Sequence, residues 1–304
     1  MTTAQAVGAV SSEAAEWYAT DWQAVLHNVR RLQVRIVKAV KEGRWGKVRA
    51  LQRLLTHSYS GKALAVRRVT ENQGKKTPGV DREVWDTPEK KMQAVGELKQ
   101  WGYQPQPLRR VYIPKSDGRT MRPLGIPTMK DRAQQALYLL ALDPVVETKA
   151  DNNSYGFRQQ RSCADAMEQC FNTLSKSHHP QWILEGDIKS CFDRISHDWL
   201  LTRVPVDRVI LQKWLKSGYM DKHVLHETTD GTPQGGIISP ALANWALDGL
   251  ERHLKEKFPT KRRLPSLGGK VPCVNLIRYA DGTPVQSSNL WGGSPLIPIV
   301  RSGI

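Results

Sequence analysis

Cysteine is scarce, and its spacing is wrong for the chemistry it most often signals. The four are Cys163, Cys170, Cys191 and Cys273. None forms a C-x-x-C pair and no nearby histidine completes a zinc pattern, which excludes a zinc ribbon and a disulfide framework. They read as reduced, mostly packed thiols. Long apolar runs are absent too. The longest lies around residues 136–142, far short of a membrane span. The opening residues MTTAQAVGAVSSEAAEW lack the basic start and apolar core of a signal peptide. The expected location is therefore cytoplasmic, with no membrane partner. There is no internal repeat. Acidic residues are also few: 29 Asp and Glu stand against 45 Lys and Arg, giving a net charge of +16 and a pI near 9.8. The cations run from Arg30 to Arg263 rather than gathering in a tail, which points to a broad basic surface and a polyanionic partner.

With 39% hydrophobic and 24% charged residues among 304, the chain can bury a substantial core as one to three domains. Residues 11–55 carry helical periodicity, with Ser12 as a cap and Gly43-Arg44-Trp45-Gly46 dividing two helices. Val25, Leu32, Ile36, Val40, Val48, Leu51 and Leu55 repeat at helical spacing, while Arg30 and Arg31 occupy another face. A solvated amphipathic pair and an RNA-binding extension both fit. The turn-rich stretch TENQGKKTPGVD places Lys75 and Lys76 among glycines. It fits a grip on a phosphate backbone as well as a solvated linker. Residues 88–101 read as a helix with Pro88 in its first turn.

Residues 108–127, LRRVYIPKSDGRTMRPLGIP, read as a hairpin with a turn at Ser116-Asp117-Gly118. Its Lys115, Arg119 and Arg122 could close over a triphosphate, since both cation types bind phosphate oxygens. Residues 128–146 form a long Ala- and Leu-rich helix stopped by Asp143-Pro144, and Cys163–Leu174 form another. Trp182-Ile183-Leu184 reads as a strand delivering Asp187. Helices over 196–203 and 207–217, a short strand over 223–228, a Gly-rich loop over 231–240 and a helix over 241–257 follow. A strand over 274–279 ends at Asp281. If the two aspartate-bearing strands are neighbours, the carboxylates repel unless a cation joins them. Mg²⁺ suits such a site because it also takes substrate phosphate oxygens. Together these pieces describe a nucleotidyl-transfer site.

Three ordered stretches, GDIKSCFDRISH, GTPQGGIISPALAN and RYAD, resemble consecutive palm motifs of a reverse transcriptase. IPKSDGRTMRPLGIPTMKDRAQQALYLLALDPVVE and SYGFRQQRSCADA resemble its finger and early palm motifs. The N-terminal helices and TENQGKKTPGVD resemble the extension of the group II intron-encoded reverse transcriptase/maturases. The resemblance covers most of residues 15–281. It implies an α+β fold: a basic helical extension over 1–85 and fingers with a mostly antiparallel palm over 86–281. It implies RNA-directed DNA polymerisation with Mg²⁺ and dNTP substrates on an RNA template and DNA primer, and maturase-type binding of intron RNA through Arg30, Arg31, Lys75 and Lys76. By the same resemblance Asp187 and Asp281 are metal-binding and catalytic, and Ile188 offers a backbone carbonyl. Phe192 excludes a ribose 2′-hydroxyl, Gln234 and Gly235 pack on the nascent pair, and Lys115 and Arg122 hold the triphosphate.

The family has a second aspartate and an apolar strand after Asp281. Here Gly282 follows, and 283–304 contain no acidic residue and many Ser, Gly and Pro. Residues 282–304 are therefore expected to be an unstructured tail outside the family, with the returning strand missing and the thumb absent. On that expectation the chain is a truncated, weakly active or inactive copy; the alternative is a remnant that binds RNA without catalysis.

Overall fold

One helix organises the fold. The computed structural model describes residues 11–115, 118–175, 182–258 and 274–287. Ahead of the central helix lie α1 (Ser12–Ala19), α2 (Trp22–Lys41), α3 (Trp45–His57), α4 (Tyr59–Glu71), a 3₁₀ turn (Gln73–Lys76) and α5 (Pro88–Glu97). The hairpin strands β1 (Leu108–Pro114) and β2 (Met121–Ile126) lead into α6 (Met129–Lys149). One side of α6, including Ala133, Leu137 and Val145, joins a core with residues of α2 to α5 such as Ile36, Leu55, Val66 and Val95. Its other side, Tyr138, Leu139, Leu142 and Val146, joins a second core. Residues 136–142 of α6 are apolar on every face, and a segment of that kind belongs in an interior.

The second core is closed by α9 (His197–Arg203), α10 (Arg208–Leu215) and α11 (Ser239–Leu247), with Leu200, Leu211, Trp214 and Leu242. The remaining elements are α7 (Cys163–Leu174), β3 (Trp182–Asp187), α8 (Cys191–Arg194), β4 (Tyr219–Asp221), β5 (Val224–His226), α12 (Leu250–Lys257), β6 (Val274–Leu276) and β7 (Gly282–Ser287). Among the described residues two sheets form, in the orders β2-β1-β4-β5 and β3-β7-β6. The fold is α+β.

Four expectations are corrected. First, the N-terminal helices break at Thr20-Asp21 as well as at Gly43. The Asp21 side chain accepts from the Gln23 and Ala24 amides at 2.9 and 3.0 Å, capping a new helix. Ser11 rather than Ser12 caps α1. Second, α6 does not stop at Asp143-Pro144 but continues to Lys149. Proline removes the amide that would bond the Leu140 carbonyl. Gln33 of α2 supplies a donor instead, its Nε2 lying 2.9 Å from that oxygen, while Gln52 Nε2 reaches the Ala141 carbonyl at 3.2 Å. Third, the helix expected over 241–257 is two. It breaks at Asp248-Gly249, where Gly249 has φ +104 and the Asp151 carboxylate accepts from the Gly249 and Glu251 amides.

The fourth correction is the largest. Residues Gly282–Ser287, expected in an unstructured tail, form the central strand of the β3-β7-β6 sheet, so the returning strand is present. The cost of its Pro284 is visible. Tyr279 and Gly282 exchange both backbone hydrogen bonds, and antiparallel pairs alternate between bonded and unbonded. The missing Pro284 N–H therefore faces Ile277, where the β6 ladder is interrupted. Toward β3 the register runs unbroken from Trp182↔Ser287 to Asp187↔Gly282. Residues 288–304, Cys273 and the turn residues Ser116-Asp117 lie outside the described residues.

A prediction follows from the Leu140 carbonyl that Pro144 leaves without its helical donor. Gln33→Leu should destabilise the protein by about 1–3 kcal/mol, the usual range for stranding a buried polar group. In a Pro144→Ala background, where residue 144 regains its amide, the loss should shrink; urea unfolding of the four proteins measures both.

Candidate nucleotidyl-transfer site

Two strand ends bring the aspartates together. Beyond β6 the chain reaches Tyr279, and a two-residue turn, Ala280-Asp281, brings it into β7; Ala280 takes φ 58, and Tyr279 and Gly282 exchange bonds at 2.9 and 3.1 Å. Because Asp187 pairs with Gly282, it lies one residue across from Asp281. Cys191 reports the convergence. Burial pushes its thiol up to about 11; the carboxylates of Asp281, Asp187 and Asp193 add to that shift, and Arg278 opposes it. Asp187 and Ile188 are exposed and Asp281 is half-buried, so all three face accessible space. Among the described residues no group of three His, Cys, Asp or Glu side chains is arranged to hold a metal. Two hard carboxylates fit Mg²⁺, which is commonly held by one or two carboxylates plus substrate phosphates.

A buried ionic cluster fixes the turn from behind. Arg278 is fully buried and its Nη2 donates to Asp248 Oδ1 at 2.6 Å. Its Nη1 reaches Asn244 Oδ1 at 3.0 Å and the Ala280 carbonyl at 3.2 Å. Burial pushes the Asp248 carboxyl up to about 6, while Arg278 draws it down. The segment before α7 closes the other side. The Tyr155 amide donates to the Arg278 carbonyl at 2.8 Å, and Asn244 Nδ2 donates to the Gly156 carbonyl at 3.0 Å. A Cβ on Gly156 would stand 2.1 Å from the Ala280 nitrogen, so only glycine allows this approach.

Phe192 lies on α8, half-buried, edge-on to Phe157 at 5.8 Å between ring centroids. The 231–240 loop holds it in place. The Thr232 amide donates to the Phe192 carbonyl at 2.6 Å, and the Gly231 amide to Ile195 at 2.8 Å. Gln234 Nε2 reaches the Asp193 carboxylate at 3.3 Å, while its carbonyl accepts from the Gly125 amide of β2 at 2.7 Å. Gly235, at φ +113, has room for no Cβ: one would lie 2.7 Å from the Gly125 carbonyl. The Ile237 amide donates to Gln135 Oε1 of α6 at 2.9 Å. The loop whose Gln234 and Gly235 are expected to pack on the nascent pair is thus itself packed against protein backbone at its glycines.

The hairpin register, Ile113↔Arg122 with the Lys115 amide on the Thr120 carbonyl, sets Lys115 and Arg122 on one face, both exposed. The hairpin does not stand alone. β1 pairs in parallel with β4, and Tyr112 Oη donates to Asp221 at 2.7 Å. Lys75 and Lys76 project from the 3₁₀ turn, which Arg132 of α6 clamps by donating to the carbonyls of Gly74, at 3.0 Å, and Thr77. Arg30 and Arg31 are exposed on α2, on an element separate from that turn.

Arg278, Asp248, Asn244, Gly156 and Phe157 were not singled out from sequence. The available signal was a lone arginine inside the apolar stretch VNLIRYA, which must find a buried partner.

A sequence profile for the N-terminal domain of reverse transcriptase matches residues 17–98, and one for reverse transcriptase (RNA-dependent DNA polymerase) matches residues 113–291. The second covers more than half of the chain, and the chain belongs to the reverse transcriptase family. Its match continues past Asp281, so the family sequence does not end there. The family uses divalent metal ions. The group II intron-encoded protein LtrA of Lactococcus lactis is 37% identical over 206 residues, covering 64% of this chain and 34% of LtrA. Protein YkfC of Escherichia coli is 37% identical over 226 residues, covering 70% of this chain and 58% of YkfC. The chain thus spans about a third of LtrA and over half of YkfC. A chain of a partial Cas6-RT-Cas1–Cas2 complex overlays 79% of this chain at 21% identity, with a TM-score of 0.44. No helix among the described residues is long and apolar enough to cross a membrane.

The buried ion pair carries a test. Arg278→Met should cost about 3–5 kcal/mol by stranding Asp248 without its partner. Replacing both, as Arg278→Met with Asp248→Leu, should recover much of that loss; urea midpoints of the two single variants and the double variant complete the cycle.

Proposed function

We propose that this chain carries out RNA-directed DNA polymerisation for a group II intron, adding deoxynucleotides to a DNA primer on an RNA template. The single observation that carries this reading is the pairing of Asp187 with Gly282, which sets the two aspartates side by side at the ends of adjacent strands. Asp187, Asp281 and the Ile188 carbonyl would hold Mg²⁺. Bound there, the ion would favour ionisation of the primer 3′-hydroxyl and offset charge on the departing pyrophosphate.

The chain's own residues supply the rest. Lys115 and Arg122, on one hairpin face, neutralise the triphosphate. Phe192, held edge-on by Phe157 and tied by its carbonyl to Thr232, stands where a ribose 2′-hydroxyl would clash. Gln234 and Gly235 join the finger strand to the palm at Gly125 and support the nascent pair. Exposed Arg30, Arg31, Lys75 and Lys76 bind intron RNA as a maturase surface. The net charge of +16 favours such contacts, which weaken as salt rises.

A second reading has its own support. Gly282 stands where the family has a second aspartate, and a thinner carboxylate set binds Mg²⁺ more weakly, which favours RNA binding with little or no catalysis.

Primer extension on an RNA template with dNTPs and Mg²⁺ decides between them. Extension should be lost in Asp187→Ala, and Phe192→Val should admit ribonucleotides at least tenfold more readily. Intact RNA binding with no extension by the unaltered chain would select the binding reading instead.

A further inference from the structure

A large cavity lies apart from the aspartates. It encloses about 1510 Å³ between α3, the segment after α5, α9, α10 and the α11–α12 junction. None of Asp187, Phe192, Gln234 and Asp281 lines it. Small-molecule pockets run to roughly 300–1,000 Å³, so this one suits a length of chain.

Its lining combines two features. Trp101 is 95% exposed and Trp199 is 38% exposed, and both line the cavity. Around them stand Arg49, Arg53, Arg203, Arg208 and Arg252, all exposed. None of these arginines belongs to the ion pairs found among the described residues. Among the described residues only two acids line the cavity, and both are engaged. Asp207 accepts from Gln100 Nε2 at 2.6 Å and from the Ile210 amide at 3.0 Å, and Asp248 pairs with Arg278. Unpaired guanidinium groups attract phosphates, and exposed indoles offer stacking faces to unpaired bases. A duplex presents no free base face, and an acidic peptide would leave the indoles unused.

We infer that this cavity is a binding groove for single-stranded nucleic acid, with Trp101 and Trp199 stacking on bases and the arginines Arg49 and Arg53 tracking the backbone. It is distinct from the surface that carries Arg30, Arg31, Lys75 and Lys76, and it does not depend on polymerisation.

The test uses the full chain, first saturated with a primer–template duplex to occupy the palm. Fluorescence anisotropy then follows a labelled ten-nucleotide oligouridine, its oligothymidine counterpart and a blunt RNA duplex. The Trp101→Ala/Trp199→Ala variant should lose about tenfold or more in single-strand affinity and nothing in duplex affinity, since stacking is worth roughly 1–3 kcal/mol per base. Trp101→Phe should retain most of the binding, which separates lost stacking from misfolding. Arg49→Ala/Arg53→Ala should flatten the log–log salt slope by about 1.4, since each phosphate contact on a single strand contributes about 0.7. Asp187→Ala should leave all of this unchanged, so failed polymerisation and a failed groove are told apart. Tighter binding of the RNA or of the DNA oligomer identifies the source, and either supports the groove. Single-strand affinity unchanged in both double variants overturns the inference. So does an equal loss for single strand and duplex in the tryptophan variant, or a change in self-association alone, which would mark the cavity as a protein-docking face.

Discussion

The register between β3 and β7 is the constraint on which the site depends. A strand slipped by one residue turns every side chain to the opposite face. Here the pairing of Asp187 with Gly282 puts one aspartate at the end of β3 and the other in the turn that begins β7. With two residues between Tyr279 and Gly282, the turn leaves no slack to absorb a shift.

That register is held from outside the sheet. Arg278 links the turn to α11 through Asn244 and to the helix break at Asp248, while Gly156 presses on Ala280 from the opposite side. A buried pair of this kind contributes little net stability, because desolvation offsets the attraction, but it penalises any arrangement that separates the partners. The 231–240 loop acts likewise at the edge of the site, tying α8, β2 and α6 together through backbone contacts that tolerate no side chain at Gly231 or Gly235. Fingers and palm are therefore joined where the nascent pair is proposed to sit.

Much of this was legible in the sequence, and the exceptions have physical causes. Local signals succeeded where they acted alone. Cys163–Leu174 is bounded by a Ser162–Asp165 capping box, and Pro88 opens α5 after the Thr87 cap. Local signals failed where a distant partner intervened. Pro144 reads as a stop, yet α6 passes through it because Gln33, about a hundred residues earlier, bonds the freed Leu140 carbonyl while Gln52 bonds the neighbouring carbonyl of Ala141. Asp248-Gly249 reads as ordinary helix, yet Asp151 and Arg278 break it there. Gly282–Ser287 reads as loop by composition, yet two neighbouring strands supply the pairing that its own residues do not encode. The pair of aspartates was visible as types and order; the cluster behind them was not, because an arginine's burial is a property of the fold.

The most direct test of the central claim, that the strand register makes Asp187 and Asp281 one cation site, replaces Mg²⁺ with Fe²⁺ and maps hydroxyl-radical cleavage of the chain itself. The account predicts two clusters of cuts, around residues 186–193 and 279–283, with both weakened by Asp187→Ala and both by Asp281→Ala. Cuts at one cluster only, or clusters that respond separately to the two substitutions, would contradict it.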